Sequence, residues 1–236
     1  MNDTLDFRAG LKDTLPTVFG YIGIGLAFGI VSRSSGFSAL AALLTALITY
    51  SGAAQFVIVS MITAGSPFVS IVFSVFMLSA RMILTSMTVA PYYKKESMLR
   101  NIILGTLLTD ETFALTMSKL NYTDHRLSFE WLNAANIFAY SAWAAASLAG
   151  NLLGSLIQDP EKFGLDYALV AMFIGLLYLQ VIGDRSIKLA LQGSIILIVL
   201  VLTYVGMIFI PSGILTLVVT IIACLVGMGV RNHAKL

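Results

Sequence analysis

Apolar residues gather into eight long runs, at roughly 14–32, 37–63, 67–91, 98–118, 131–157, 166–183, 187–209 and 213–230, with polar residues collected between them. A helix of about 20 residues crosses a hydrocarbon layer of about 30 Å, so these runs have the length of membrane spans. Punctuators such as Ser32-Arg33-Ser34-Ser35-Gly36 and Gln158-Asp159-Pro160-Glu161-Lys162 mark turns between them. The pattern predicts an all-α integral membrane protein with seven or eight transmembrane helices. The count is eight if Pro211-Ser212-Gly213 separates two spans and seven if it kinks one. A single polytopic domain then occupies residues 1–236, with a short N-terminal segment 1–13 and a tail 231–236. The first run lacks a small-x-small cleavage site and is read as an uncleaved span.

Composition agrees with that class. Hydrophobic residues make up 58% of the chain and charged residues 11%, against about 25% charged in soluble domains. The net charge of +2 supplies no basic stripe for nucleic acid. A lone cysteine, Cys224, excludes an internal disulfide and a cysteine-based metal cluster. Metalloprotease, nucleophile-elbow, phosphate-loop and dinucleotide-loop motifs are absent, and His125 and His233 fall in a loop and the tail, so the sequence points to no enzyme, metal or cofactor. With the N-terminus inside, Arg8, Lys12, Lys119, Arg126, Arg185, Lys188, Arg231 and Lys235 lie on the cytoplasmic side. Arg33, Lys94, Lys95, Arg100 and Lys162 lie outside, a weak positive-inside bias.

Three charges break the pattern. Arg81 and the adjacent Asp110 and Glu111 lie near the middle of apolar runs, where ionisable groups are costly and usually serve a pathway or binding site. Arg81 precedes Pro91 by about 15 Å of helix, and Asp110 lies about 18 Å into the next run, at 1.5 Å per residue. A short turn makes the two spans antiparallel, so the charges share a depth near mid-membrane. They read either as a structural ion pair or as a substrate or proton site, with the second favoured. Asp110 and Glu111 project about 100° apart on a helix, so one is expected to face the pathway and the other a partner helix.

The second run is longer than a span requires, and its middle reads Tyr50-Ser51-Gly52-Ala53-Ala54-Gln55-Phe56. A broken helix there would free backbone groups to bind a ligand, with Ser51, Gly52 and Gln55 beside them; a tilted, intact helix fits the pattern equally well. Gly20, Gly23, Gly25 and Gly29 predict close helix contact in the first span. Asp166 opens the sixth run, where the helix N-terminus stabilises a carboxylate; a lining role is its second reading. Runs one and two resemble runs five and six, with Gln55 and Gln180 at similar distances downstream, which hints at an internal repeat. From residues alone the chain is a transporter of small solutes, a channel, or a structural subunit of a larger membrane complex.

Four elements in order extend this reading. They are Ser51 to Phe56, Ala80-Arg81, Leu108-Thr109-Asp110-Glu111-Thr112-Phe113-Ala114-Leu115, and Gly164-Leu165-Asp166-Tyr167-Ala168-Leu169 with Phe173. Together with Pro16, the glycines after it and Phe28-Gly29, they resemble the AzlC-type branched-chain amino acid exporters over nearly the whole chain. One departure is that Ser79 and Met82 stand near the third-run arginine, where the family often carries Asn and His. The resemblance implies a multi-pass permease of the bacterial inner membrane that exports leucine, isoleucine and valine, and sometimes methionine or analogues. It further implies a small AzlD-type membrane subunit as partner. With no ATP-binding motif, coupling falls to gradients, and proton antiport is the expected form. Arg81 would then hold the substrate carboxylate, Asp110 or Glu111 would meet the ammonium or a proton, and Ser51, Gly52 and Gln55 would add neutral contacts.

Overall fold

A computed structural model describes residues 3–156, 164, 167–183, 189–210 and 212–233, and all regular structure among them is helical. Two long helices form its spine, α1 (Phe7–Ser34) and α8 (Phe129–Gly154). Their register is parallel: Gly10 abuts Trp131 and Ala134, Gly25 abuts Ala146, Gly29 abuts Ser147 to Asn151, and Gly154 abuts Arg33. A methyl group on Gly29 or Gly150 would overlap the partner's backbone. Such close approach is how helices associate where lipid removes the hydrophobic drive between them. Two of the four first-run glycines, Gly25 and Gly29, therefore make the expected contact; Gly20 and Gly23 have nothing within 4 Å. The first helix begins at Phe7 inside the expected leading segment, because Asp6 caps it by accepting from the Ala9 N–H at 2.7 Å.

The next three apolar runs each form two helices. The second gives α2 (Ala39–Thr49) and α3 (Gly52–Thr63), the third α4 (Phe68–Ser79) and α5 (Arg81–Val89), and the fourth α6 (Met98–Thr106) and α7 (Asp110–Leu120). The interruptions differ in kind. Tyr50 is left-handed (φ 40°, ψ 48°) and Ser51 extended, so the second run is broken, which decides between its two readings. Thr109 is extended and breaks the fourth run, where an unbroken span was expected. Ala80 keeps helical dihedrals (φ −59°, ψ −26°), so α4 and α5 meet at a tightened turn. A 3₁₀ turn at Ala90–Tyr93 follows.

Beyond α8 come α9 (Ala168–Gly183), α10 (Leu189–Phe209) and α11 (Ser212–His233). The helices α10 and α11 are separate, as an eight-run reading requires; Pro211 itself lies outside the described residues. Helix α4 buries none of its residues and exposes Phe68, Val69, Phe73 and Phe76; α10 likewise exposes Leu197, Leu200 and Tyr204. Apolar faces this continuous suit lipid and not water. Phe7–Ser34, Phe68–Tyr93 and Leu189–Phe209 each have the length and hydropathy to cross a membrane unaided. Since α1 and α8 run parallel, the chain between them returns to the side from which it started.

Candidate functional site

All three interruptions open onto one cavity of about 200 Å³, below the 300–1,000 Å³ typical of drug-sized ligands and suited to a small solute. It lies against Tyr21, near the midpoint of α1.

The α2–α3 break supplies the first wall. A non-glycine residue in the left-handed region costs of order 1–3 kcal/mol, and Tyr50 is held there by the edge of Tyr140, 4.8 Å between centroids. The Tyr140 hydroxyl also donates to the Leu47 carbonyl at 3.0 Å, occupying an acceptor that the end of α2 leaves open. Ser51 makes no side-chain cap on α3. Ser51, Gly52 and Ala53 thus bring the uncapped first turn of α3 to the cavity.

The second wall is the start of α7. Thr109 caps this helix, its Oγ1 accepting from the Thr112 N–H while the Thr112 hydroxyl accepts from the Thr109 N–H, a reciprocal capping box. The cap places Asp110 and Glu111 in the first turn, where the helix field favours carboxylates. These acids were expected twelve residues into an unbroken span; they begin a half-helix instead. They were also expected to diverge, one to the pathway and one to a partner helix. Both line the cavity; Asp110 meets Arg81, and Glu111 meets Tyr21 of α1, the partner-helix contact expected of one of them.

Arg81, at the first position of α5, brings Nη2 to 2.7 Å from Asp110 Oδ2, with each side chain 27% exposed. Glu111 Oε2 accepts from the Tyr21 hydroxyl at 2.7 Å, and the same phenolic oxygen lies 2.7 Å from Thr109 Oγ1. With Glu111 ionised, one orientation satisfies the group: Thr109 donates to Tyr21, and Tyr21 donates to the carboxylate. The lining therefore holds one guanidinium and two carboxyl groups, Asp110 paired with Arg81 and Glu111 bonded to Tyr21, so it carries more acidic than basic groups.

The structure brings together Arg81, Asp110, Glu111, Ser51 and Gly52 around this cavity, but not Gln55. Gln55 is fully buried behind the wall, where its Oε1 accepts from Trp143 Nε1 at 3.0 Å. The indole is a donor only, so the amide must present its oxygen, and Nε2 is left without a partner. Asp166, the secondary candidate, lies outside the described residues. Among the described residues no group of three or more His, Cys, Asp or Glu side chains is arranged to hold a metal ion.

Sequence reasoning missed four participants. Thr109 and Thr112 had a local signal, since Thr-Asp-Glu-Thr is a helix start. Tyr21 and Trp143 had none, being aromatic residues within apolar runs. Lys119 was expected among the cytoplasmic loop charges. It is instead fully buried, with Nζ 2.7 Å from Asp13 Oδ2 and 5.4 Å from the centroid of the Trp131 ring. Trp131 Nε1 donates to the same carboxylate oxygen at 3.0 Å. This cluster ties the far end of α7 to α1 and α8, about 14 Å along the helix from Asp110 at 1.5 Å per residue.

Comparison with known proteins gives this arrangement a family. Residues 16–157 match the family model described as AzlC protein. The inner membrane protein YgaZ of Escherichia coli is 31% identical over 72% of this chain and 71% of its own length. An uncharacterized membrane protein of Archaeoglobus fulgidus is 31% identical over 86% of this chain and 89% of its own. The branched-chain amino acid transport protein AzlC of Bacillus subtilis is 24% identical over 79% and 72%. No solved structure matches the chain. A family match over more than half of the sequence, joined by 31% identity to membrane proteins across most of their lengths, establishes that this chain belongs to the AzlC family of membrane proteins.

Proposed function

We propose that the chain is a secondary transporter exporting branched-chain amino acids, and methionine as a further substrate, across the bacterial inner membrane in exchange for protons, with a small AzlD-type membrane subunit as partner. The name of the Bacillus subtilis relative supports the substrate class. The observation that carries the reading is the Arg81–Asp110 pair, half-buried at the junction of two interrupted segments and open to the cavity.

A zwitterion can enter such a pair without changing the charge of the site. The substrate carboxylate takes Asp110's place on the Arg81 fork, and Asp110 or Glu111 receives the ammonium. Backbone N–H groups at the uncapped start of α3 add donors for the carboxylate. When the substrate leaves, either the Arg81 pair closes again or a carboxylate takes a proton, which links transport to the proton gradient. Gln55 has no direct part in this scheme, since it lies behind the cavity wall.

The test is efflux of leucine, isoleucine, valine and methionine from peptide-loaded bacterial cells expressing the chain, with and without the small subunit. Faster efflux that disappears in an Arg81→Gln variant of equal abundance is the expected result. Unchanged efflux under both conditions, with membrane insertion confirmed, would overturn the reading.

A further inference from the structure

We propose that Trp143 is the fixed apolar wall that sets the upper size of the substrate side chain, and that Gln55 is a positioning residue that holds this wall without touching the substrate. The proposal rests on the amino-acid reading of the cavity given above.

The lining divides by chemistry. Arg81, Asp110, Glu111, Thr109 and Ser51 supply the polar groups that suit a zwitterionic head, whereas Trp143, Met82 and Leu108 present apolar surface. These apolar groups are not equivalent. Methionine is unbranched and adapts its shape to what it meets. Trp143 is 3% exposed and restrained twice, its N–H donating to Gln55 at 3.0 Å and its ring meeting Tyr21 edge to face at 5.2 Å. A ring that cannot turn or retreat excludes by volume, and volume is the property that separates aliphatic side chains from aromatic ones.

The state of Gln55 supports its assignment. Its side chain is fully buried, yet two amide hydrogens lack an acceptor. An apolar residue of similar shape would remove those two unpaired hydrogens but would leave the buried Trp143 N–H without its acceptor. What it supplies is one acceptor aimed at one indole. It also sits one turn into α3, so the half-helix that opens the cavity is fastened to the wall of α8. Tyr21 completes the link, since the ring that restrains Trp143 carries the hydroxyl bound to Glu111. The wall for the side chain and the acid for the head are therefore held in one fixed relation.

The experiment uses everted membrane vesicles from cells expressing the full chain with the small subunit, in which an exporter accumulates labelled leucine. Unlabelled valine, leucine, phenylalanine and tryptophan compete, and the readout is the ratio of inhibition constants within each variant, which does not depend on protein abundance. In Trp143→Ala the phenylalanine-to-leucine ratio is expected to move at least tenfold towards phenylalanine, because the excluded volume opens. Gln55→Met should move it in the same direction by a smaller factor, and in a Trp143→Phe background it should have no further effect, because no N–H remains to be held. Trp143→Phe decides the matter if Trp143→Ala fails to insert. Ratios unchanged in all variants that still accumulate leucine would overturn the proposal and leave the transport reading standing. Absence of leucine accumulation by the unaltered chain would overturn the transport reading itself, and this proposal with it.

Discussion

Lys119→Met tests whether the buried Lys119–Asp13 pair holds α7 in place. Asp13 is 8% exposed, and its Oδ2 receives two donors, Lys119 Nζ at 2.7 Å and Trp131 Nε1 at 3.0 Å. The substitution keeps most of the side-chain volume but leaves a buried carboxylate with one neutral donor. Removing one partner of a buried pair costs about 3–5 kcal/mol, and the surviving indole contact argues for the lower end. For a chain of this size 1 kcal/mol moves the midpoint by roughly 2–4 °C, so Lys119→Met should melt about 6–12 °C below the unaltered protein in detergent. Asp13→Leu should be affected comparably, since it removes the carboxylate from the buried Lys119 charge. The double variant Asp13→Leu with Lys119→Met should recover much of the loss, since no uncompensated charge remains. Thermal unfolding followed by size-exclusion chromatography measures all three. Single variants within about 2 °C of the unaltered protein, or a double variant whose loss is the sum of the singles, would refute the reasoning; the 2 °C threshold corresponds to less than about 1 kcal/mol.

Other expectations follow from the site and the spine. Arg81→Lys and Asp110→Asn should each reduce efflux at least tenfold at equal abundance, since a bidentate fork and an ionised partner are lost; transport within twofold of normal in both would remove these residues from the site. Tyr21→Phe removes the hydroxyl between Thr109 and Glu111; hydrogen bonds to charged groups contribute about 1.5–3 kcal/mol to stability, so the melting midpoint should fall by about 3–12 °C at roughly 2–4 °C per kcal/mol. Thr109→Ala deletes the α7 cap and should lower stability by about 0.5–2 kcal/mol, visible as a lower melting midpoint. Gly150→Leu should prevent correct packing of α1 on α8 and abolish recovery of monodisperse protein, whereas Gly20→Leu, with nothing within 4 Å, should be tolerated.

The class of the protein was legible because the run lengths and the scarcity of charge are properties of the chain itself. Arg81, Asp110 and Glu111 were legible for the same reason: an ionisable group within an apolar run is conspicuous without coordinates. The Tyr50-Ser51-Gly52 segment showed that its helix had a weak point but not whether it broke, because an intact helix and an interrupted one bury similar side chains. Thr109 carried a readable cap signal that the surrounding apolar residues outweighed.

What the sequence by itself determined is thus the membrane class, the helical nature of its apolar runs, and the presence of a charged centre. Only the tertiary structure decided which charges meet. Asp13 and Lys119 lie 106 positions apart, and the ion pair that removes them from the loops depends on α1 and α7 converging. Gln55 appeared beside the cavity in sequence and lies behind it in space, since the direction of a buried side chain is set by its donor on another helix, Trp143. Local pattern reports the cost of placing a polar group in an apolar run; the partner that offsets that cost comes from a distant part of the chain, and only packing brings it there.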